Sequence, residues 1–342
     1  MTAAGRGMRR VVIVDAFHDW DDGFAVERGI WDAHGISATV LNCATEDGIV
    51  AAAEGADALV NMGLSTPLTG RVMRALPRCR VIARYGVGVD NIDLAAATGE
   101  GIVVTNVPNY CTPEVADHTV ALILALARRL LPLDRFVRSG RWVGSIQFTG
   151  PIHRLSTLTL GLVGCGRIAQ EVARRMEGLV GSIVAYDPYV DPDQAAELGV
   201  ELVELSALLA RSDVVSLHVP LNPDTHHLIG GEELEQMKPT AFLVNTSRGQ
   251  VVDEGALIAA LESGRIAGAA LDVVAIEPLP AESPLRALPN VVLTPHFANY
   301  SVEAVRDLRE SVACAVRDVL AGRWPAHVVN GDVEPRIPLE GV

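Results

Sequence analysis

The chain alternates short runs of Val, Ile, Leu and Ala with longer stretches of helical periodicity, and it does so in two series. The first series contains the runs VVIVDAF, ATVLNC, ALVNMG, RVIARYG and GIVVTNVP. The second contains the runs TLGLVGCG, SIVAYD, VVSLHVP, AFLVNTS, GAALDVV and VVLTPH. Strands that are separated by helices pair in parallel, and the helices cover both faces of the sheet. The pattern therefore predicts two α/β lobes, the second a complete doubly wound sheet of six strands.

The stretch that joins the two series is expected to begin with a long helix. Its helical pattern runs from Pro113 to Leu130, with Thr112 as the N-cap and the proline in the first turn. From Leu131 to Ser156 the pattern becomes irregular, which is typical of an arm that lies on another surface. A last helical stretch, Val302–Leu320, follows the second series and is expected to pack on the first lobe.

These boundaries imply that one domain is inserted into the other. We predict a discontinuous domain of residues 1–107 and 299–342 and an inserted domain of residues 108–298. The inserted domain includes the long helix and the arm, at about residues 112–156. A cleft between the lobes is the expected place for a small ligand.

Composition and charge restrict the partners and the compartment. The 28 Lys and Arg against 42 Asp and Glu give a formal net charge of -14, which disfavours nucleic acid and anionic membrane surfaces. The five cysteines are scattered, form no CxxC pair and favour a reducing cytoplasm. No apolar stretch is long enough to span a bilayer, so we expect a soluble cytoplasmic protein. The nine histidines show no metal-ligand spacing, and no metal is predicted.

A dinucleotide motif opens the second series. Gly164, Gly166 and Ala169 form a G-x-G-x-x-A pattern directly after an apolar run and at the start of a helical stretch. The first glycine permits a tight turn, the second lets the backbone approach a pyrophosphate, and the alanine lets the helix pack closely. Arg167 and Ile168 in the same turn are further candidate cofactor contacts, although the arginine is equally suited to a solvated surface.

An acidic residue after the next strand indicates which dinucleotide binds. Asp187 can accept hydrogen bonds from the ribose hydroxyls of the adenosine and would repel a 2′-phosphate. The sequence therefore favours NAD over NADP.

Several blocks of the sequence together resemble one family, the D-isomer-specific 2-hydroxyacid dehydrogenases, which include phosphoglycerate dehydrogenases and the corepressors called C-terminal-binding proteins. The blocks are RYGVGVDNID from Arg84, LGLVGCGRIAQ from Leu160, ARSDVVSLHVPLNPDTHHLI from Ala210, MKPTAFLVNTSRGQVVDE from Met237, ALDVVAIEP from Ala270 and LTPHFANYS from Leu293. The resemblance implies an NAD-binding domain inserted into a discontinuous, flavodoxin-like substrate domain. It also implies a homodimer formed through the long helix and the arm.

The resemblance further implies a catalytic set for exchange between a 2-keto acid and a D-2-hydroxy acid. Arg248 would hold the carboxylate and polarise the carbonyl, since its planar fork can serve both groups. His296 would be the general acid and base, and Glu277 would orient it and stabilise its protonated form. NADH would be the cofactor for reduction.

Other site residues are expected on weaker grounds. By resemblance Thr225, Thr246 and Asp272 contact the cofactor, with the aspartate near the nicotinamide amide, although Thr and Asp also serve turns. In the first lobe, the glycine-rich turn can present the N–H groups of Val87 and Gly88 to the substrate carboxylate.

Two positions depart from the family pattern. Ala169 replaces the usual third glycine, and Asn299 stands where the C-terminal-binding proteins carry a tryptophan. The second change suggests a substrate-binding pocket with a polar lining. The residues proposed for that lining are Tyr85, Asn109, Tyr110, Asn299 and Tyr300.

An alternative function remains, that of an NAD(H)-sensing binding protein similar to the corepressors.

Overall fold

The computed structural model describes residues 8–15, 22–43, 45–63, 66–142 and 151–341. The chain forms two compact units, which we call unit 1 (Met1–Tyr110 and Ser301–Val342) and unit 2 (Cys111–Tyr300). Part of the predicted arm, residues 143–150, lies outside the described residues. Of the helices in the described ranges, none has the length and apolar character to cross a membrane.

Unit 1 is built on a parallel sheet of five strands in the order β2-β1-β3-β4-β5. The strands are β1 (Arg9–Val14), β2 (Ile36–Leu41), β3 (Ala58–Asn61), β4 (Val81–Arg84) and β5 (Val103–Thr105). The helices are α1 (Ala25–Asp32), α2 (Glu46–Ala52), α3 (Gly70–Arg74), α4 (Leu94–Gly99) and α12 (Val302–Leu320). Alternate residues of β1 enter opposite cores, so that Val11 and Ile13 face α1 and α12 while Val12 and Val14 face α2, α3 and α4.

Unit 2 contains a parallel sheet of seven strands in the order β12-β11-β10-β9-β6-β7-β8. The strands are β6 (Thr159–Val163), β7 (Ser182–Tyr186), β8 (Val200–Leu202), β9 (Val214–Leu217), β10 (Phe242–Asn245), β11 (Gly268–Leu271) and β12 (Val291–Leu293). The helices are α5 (Thr112–Ala127), α6 (Leu130–Arg138), α7 (Arg167–Met176), α8 (Pro192–Glu197), α9 (Leu205–Arg211), α10 (Gly231–Gln236) and α11 (Glu254–Glu262). The strand order reverses between β6 and β9, the usual place for a dinucleotide in such sheets. The predicted α/β class with two parallel sheets is confirmed.

The predicted count of six strands in the second sheet was wrong, because it omitted β8. This strand has only three residues and pairs with β7 alone, at the edge of the sheet. Val200 is its single buried residue, so the strand carries no apolar run that a sequence pattern would reveal.

The helices between the two sheets also differ from the prediction. Helix α5 begins at Thr112, so the N-cap is Cys111 rather than the threonine, and the helix ends at Ala127. A separate helix, α6, occupies part of the stretch expected to be irregular. Pro132 is compatible with this helix, because it lies in the first turn, where its missing N–H is not needed.

Candidate active site

The glycine turn after β6 has the geometry that a pyrophosphate requires. Gly164 has a φ of 91°, and a Cβ there would lie 2.9 Å from the carbonyl oxygen of His218. Gly166 is the N-cap of α7, and its Cα faces open space. No described residue accepts a hydrogen bond from the N–H of Gly166, Arg167 or Ile168. These donors at the N-terminus of a helix therefore fit the phosphates of a dinucleotide.

Asp187 lies directly beside this turn. One carboxylate oxygen accepts a hydrogen bond from the N–H of Cys165 at 2.8 Å, and the other accepts one from the N–H of Tyr189 at 2.9 Å. The carboxylate is thus fixed at the end of β7, next to the glycine turn, and is half-buried. Burial raises the pKa of the Cys165 thiol, so this cysteine stays neutral in the turn.

The structure brings Glu277 and His296 together. The Nδ1 atom of His296 lies 2.6 Å from a carboxylate oxygen of Glu277. The other carboxylate oxygen accepts a hydrogen bond from the N–H of Val274 at 3.1 Å. Both side chains are about a quarter to a third exposed, at 27% and 30%. The histidine is therefore oriented through one ring nitrogen, and its Nε2 makes no hydrogen bond to any described residue.

Asp272 anchors the loop that carries His296. Its carboxylate accepts hydrogen bonds from the hydroxyl of Thr294 at 2.6 Å, from the N–H of Phe297 at 2.9 Å and from the N–H of Ala298 at 3.0 Å. The carbonyl of Asp272 also accepts the N–H of His296 at 2.7 Å. The side chain is buried, and these donors account for both carboxylate oxygens. The predicted contact of Asp272 with the nicotinamide stays a prediction beside this anchoring role.

Arg248 lies at the start of the turn that follows β10. The side-chain amide of Asn245 holds this turn by donating to the carbonyl of Arg248 at 2.9 Å and accepting the N–H of Ser247 at 3.0 Å. Gly249 follows, and a Cβ there would lie 1.9 Å from the carbonyl oxygen of Val274. The turn of Arg248 therefore packs directly on the loop that leads to Glu277.

The remaining predicted residues of unit 2 serve local contacts. Thr225 donates its hydroxyl to the carbonyl of Pro220 at 2.5 Å, within its own turn. The hydroxyl of Thr246 lies 2.9 Å from that of Thr119. Asn299 is half-buried and follows the anchored Ala298. Their expected contacts with cofactor or substrate stay predictions.

In unit 1, the glycine-rich turn after β4 presents two free backbone donors. The buried guanidinium of Arg84 donates to the carbonyl of Gly88 at 2.9 Å, and Asn106 donates to the carbonyl of Val87 at 2.7 Å. Within the described ranges, the N–H groups of Val87 and Gly88 have no acceptor. The carbonyls of this turn are engaged and its N–H groups are available, which suits an anion.

The hypothesis of a polar pocket lining was wrong for Tyr85. Its ring is buried in the core of unit 1, and its hydroxyl donates to the buried carboxylate of Glu27. Asn109 and Tyr110 line a cavity of about 320 Å³ in unit 1, together with residues of α12.

Sequence reasoning missed several residues that support the site. His118 on α5 places its Nε2 3.0 Å from the hydroxyl of Thr294, and Arg84 holds the glycine-rich turn. The contact of His118 joins residues 176 positions apart, so no motif indicated it. Arg84 lies only four residues before Gly88, and a charged residue at the end of a buried strand was the signal that could have indicated its role.

Comparisons with known proteins agree with this geometry. A family model described as "D-isomer specific 2-hydroxyacid dehydrogenase, NAD binding domain" matches residues 120–298. A glyoxylate reductase of Korarchaeum cryptofilum is 47% identical over 280 residues, which cover 81% of this chain and 83% of the relative.

Two solved structures extend the likeness to the whole fold. A D-lactate dehydrogenase from Aquifex aeolicus, complexed with NAD and lactic acid, superposes with a TM-score of 0.84 at 29% identity, covering 94% of this chain and 99% of the other. An NADPH-dependent glyoxylate/hydroxypyruvate reductase from Sinorhizobium meliloti, in complex with NADP and malonate, gives a TM-score of 0.81 at 29% identity, covering 98% and 100%. The chain therefore belongs to the family of D-isomer-specific 2-hydroxyacid dehydrogenases.

Proposed function

We propose that the protein reduces a small 2-keto acid to the D-2-hydroxy acid with NADH, and catalyses the reverse reaction with NAD. The observation that carries this proposal is the pair formed by His296 and Glu277. A carboxylate 2.6 Å from Nδ1 fixes the ring and leaves Nε2 for a substrate oxygen.

The proton for the reduction comes from His296. In the protonated ring, Nδ1–H is held by Glu277 and Nε2–H points to the carbonyl oxygen of the keto acid. When NADH is bound at the glycine turn, it would supply the hydride that the carbonyl carbon accepts. As negative charge develops on the oxygen, Nε2 gives up its proton, and the histidine becomes neutral with Nδ1–H still bonded to Glu277. In oxidation, the neutral Nε2 takes the hydroxyl proton back.

The carboxylate and the developing charge need cationic and N–H partners. We assign the carboxylate and carbonyl to Arg248, whose guanidinium can donate to two oxygens at once. We assign the N–H groups of Val87 and Gly88 to the substrate carboxylate as well. Donors that are fixed before the reaction stabilise charge without reorganisation.

For the cofactor, we propose a preference for NAD over NADP. The support is Asp187, whose carboxylate is held beside the glycine turn by the N–H groups of Cys165 and Tyr189. A fixed carboxylate accepts bonds from ribose hydroxyls and repels a 2′-phosphate.

For the substrate, we propose 2-keto acids with a small or polar side chain, of which glyoxylate is the first candidate. The relative from Korarchaeum cryptofilum is named a glyoxylate reductase. Asn299, half-buried three residues after the catalytic histidine, offers a small amide instead of a large aromatic ring.

The decisive experiment measures oxidation of NADH and of NADPH with a panel of keto acids. The panel contains glyoxylate, hydroxypyruvate and branched, aromatic, dicarboxylic and phosphonate-bearing 2-keto acids. We expect turnover with NADH, highest for the small or polar substrates. Tight binding of NADH with no turnover across the panel would contradict the proposal and favour a nucleotide-sensing role. Turnover that is restricted to substrates with aliphatic side chains would contradict the proposed polar pocket but not the proposed reaction.

A further inference from the structure

The loop between β11 and Glu277 is held by two side chains that belong to a different part of unit 2. Gln250 lies in the turn after Arg248, and Glu254 is the first residue of α11. The side-chain amide of Gln250 donates to the carbonyl of Ala275 at 3.1 Å. The carboxylate of Glu254 accepts the N–H of Ala275 at 2.9 Å.

These two bonds fix two successive peptide planes. The N–H of Ala275 belongs to the plane that it shares with Val274, and its carbonyl belongs to the plane that it shares with Ile276. The N–H of Val274 in turn donates to Glu277 at 3.1 Å. The backbone that positions the Glu277 carboxylate is therefore set by side chains from outside its own loop.

Close packing of the two backbones adds to these hydrogen bonds. Because Gly249 has no Cβ, its backbone approaches the carbonyl of Val274, where a Cβ would lie at 1.9 Å. The backbone of Gln250 is itself fixed, since its carbonyl accepts the N–H of His227 at 2.8 Å. The turn that carries Arg248 and the loop that carries Glu277 are thus joined by close backbone packing and by hydrogen bonds.

From this geometry we infer that Gln250 and Glu254 are positioning residues for the Glu277–His296 pair, coupling it to the turn of Arg248. The inference rests on the proposed function, because it assigns the two residues a role in that reaction. Both side chains bond to the backbone of Ala275, so the role we assign them is one of positioning and not of catalysis. A misplacement of about 1 Å at a catalytic pair can cost on the order of a hundredfold in rate, so a loosened loop should be visible in turnover.

The first test replaces Glu254 and follows kcat and the affinity for NADH. Glu254→Ala removes the acceptor, and we expect kcat to fall about tenfold while the Kd for NADH changes less than about twofold. Glu254→Gln keeps an acceptor oxygen and should restore most of the rate. Gln250→Glu places a carboxylate against the carbonyl of Ala275 and should resemble the alanine variant. Glu262→Ala, at the exposed end of the same helix, is the matched control and should behave as the wild type.

A double-mutant cycle separates positioning from general destabilisation. If Glu254 acts through His296, then Glu254→Ala should lower the residual rate of the His296→Ala enzyme by less than about twofold. An equal loss in both backgrounds, or wild-type kcat in Glu254→Ala, would overturn the inference.

A spectroscopic readout keeps the inference testable without turnover. In protein labelled with ¹⁵N-histidine, the Nδ1 signal that His296→Ala removes reports the bond to Glu277. We expect this signal to change in Glu254→Ala and to persist in Glu254→Gln. An inactive wild type with the expected spectral changes would contradict the proposed reaction but support the positioning role. An unchanged signal in Glu254→Ala would overturn the positioning role whatever the activity.

Discussion

His296 has a left-handed backbone conformation, with a φ of 54°, and this conformation is imposed by its neighbours. An L-residue in this region costs about 1–2 kcal/mol. The cost is offset by the hydrogen bonds through which Asp272 holds Thr294, Phe297 and Ala298. These bonds and the contact with Glu277 therefore orient the imidazole before any substrate binds, as the proposed proton transfer requires.

His296→Ala tests the assignment of the general acid. We expect the variant to lose about a hundredfold or more in kcat, because it has no group to deliver the proton, and to bind NADH with nearly unchanged affinity. Steady-state kinetics and NADH fluorescence titration measure the two quantities. His34→Ala removes an exposed histidine of unit 1 and serves as the control. A variant with unchanged turnover would remove His296 from the mechanism.

Asp187→Asn tests how the cofactor is chosen. Without the negative charge, a 2′-phosphate is no longer repelled, so the ratio of kcat/KM for NADH to that for NADPH should fall by about tenfold. Asp193→Asn, which changes an exposed aspartate in the first turn of α8, should leave the ratio as it is. If the ratio is equally unaffected in Asp187→Asn, this residue does not read the ribose.

Among the elements, the turn between β6 and α7 requires glycine at position 164 for two reasons, its backbone conformation and its close approach to another backbone segment. Its φ of 91° favours glycine, and a Cβ would also meet the backbone of His218 at 2.9 Å. We expect Gly164→Ala to weaken NADH binding by about tenfold or more and to lower the free energy of unfolding by about 1–2 kcal/mol. Gly178→Ala is a matched control, because Gly178 also has a positive φ but a Cβ there would meet no atom within 4 Å. Equal NADH affinity in both variants would argue against a cofactor role for the turn.

His218, directly after β9, is a histidine whose burial disfavours the protonated form. Desolvation lowers the pKa of His218 from 6.5 to about 4, and its Nε2 lies 2.9 Å from the hydroxyl of Ser216. Because the unfolded chain binds this proton more readily, the free energy of unfolding should fall as the pH drops from about 6.5 to about 4, by up to about 3 kcal/mol.

Denaturant titrations at several pH values measure this dependence. His218→Gln, which cannot be protonated, should have a flatter profile between pH 6.5 and 4 than the wild type. Identical slopes for the two proteins across this range would show that His218 does not contribute.

Sequence periodicity was sufficient for most strands and for helix α12, but it failed for β8 and α6. The five strands of unit 1 were predicted because each lies in a run of apolar residues, and α12 was predicted because its apolar residues recur at helical spacing. Strand β8 was missed because its three residues include a glutamate between Val200 and Leu202, and α6 was missed because it has no buried residue and contains a proline. Helix ends were not predicted to the residue, because they depend on backbone hydrogen bonds that a sequence pattern does not contain.

In the molecule as a whole, contacts between residues that are far apart in the sequence are the features that a sequence pattern does not predict. Trp31 of α1 donates to the carbonyl of Ala313 in α12, 282 positions away, at 3.0 Å. The helical pattern of α12 was evident, but the residues that it contacts were not. The same holds in unit 2, where resemblance indicated Glu277 and His296, whereas Gln250 and Glu254 are recognised only from the folded backbone of Ala275.

The dimer predicted by resemblance has physical support in α6. This helix has no buried residue among its nine, and Leu130, Leu133 and Val137 share one face at helical spacing. Leu130 and Val137 are 53% and 45% exposed, and Trp142 beyond the helix is 77% exposed. A stripe of large apolar side chains on the surface is typical of an interaction surface, so we propose that a second copy of the chain covers it.

Charge placed on this stripe tests the dimer. We expect the wild type to run as a dimer in size-exclusion chromatography with light scattering, and Leu130→Asp/Val137→Asp to shift toward the monomer, because each buried carboxylate would have no counter-charge in an apolar interface. Ile337→Asp, at an isolated apolar residue that is 40% exposed in unit 1, should leave the mass unchanged. A wild type that is monomeric at all concentrations would contradict the dimer. A dimer that survives both aspartates would place the interface on another surface, and α6 would then need a different partner to cover its apolar face.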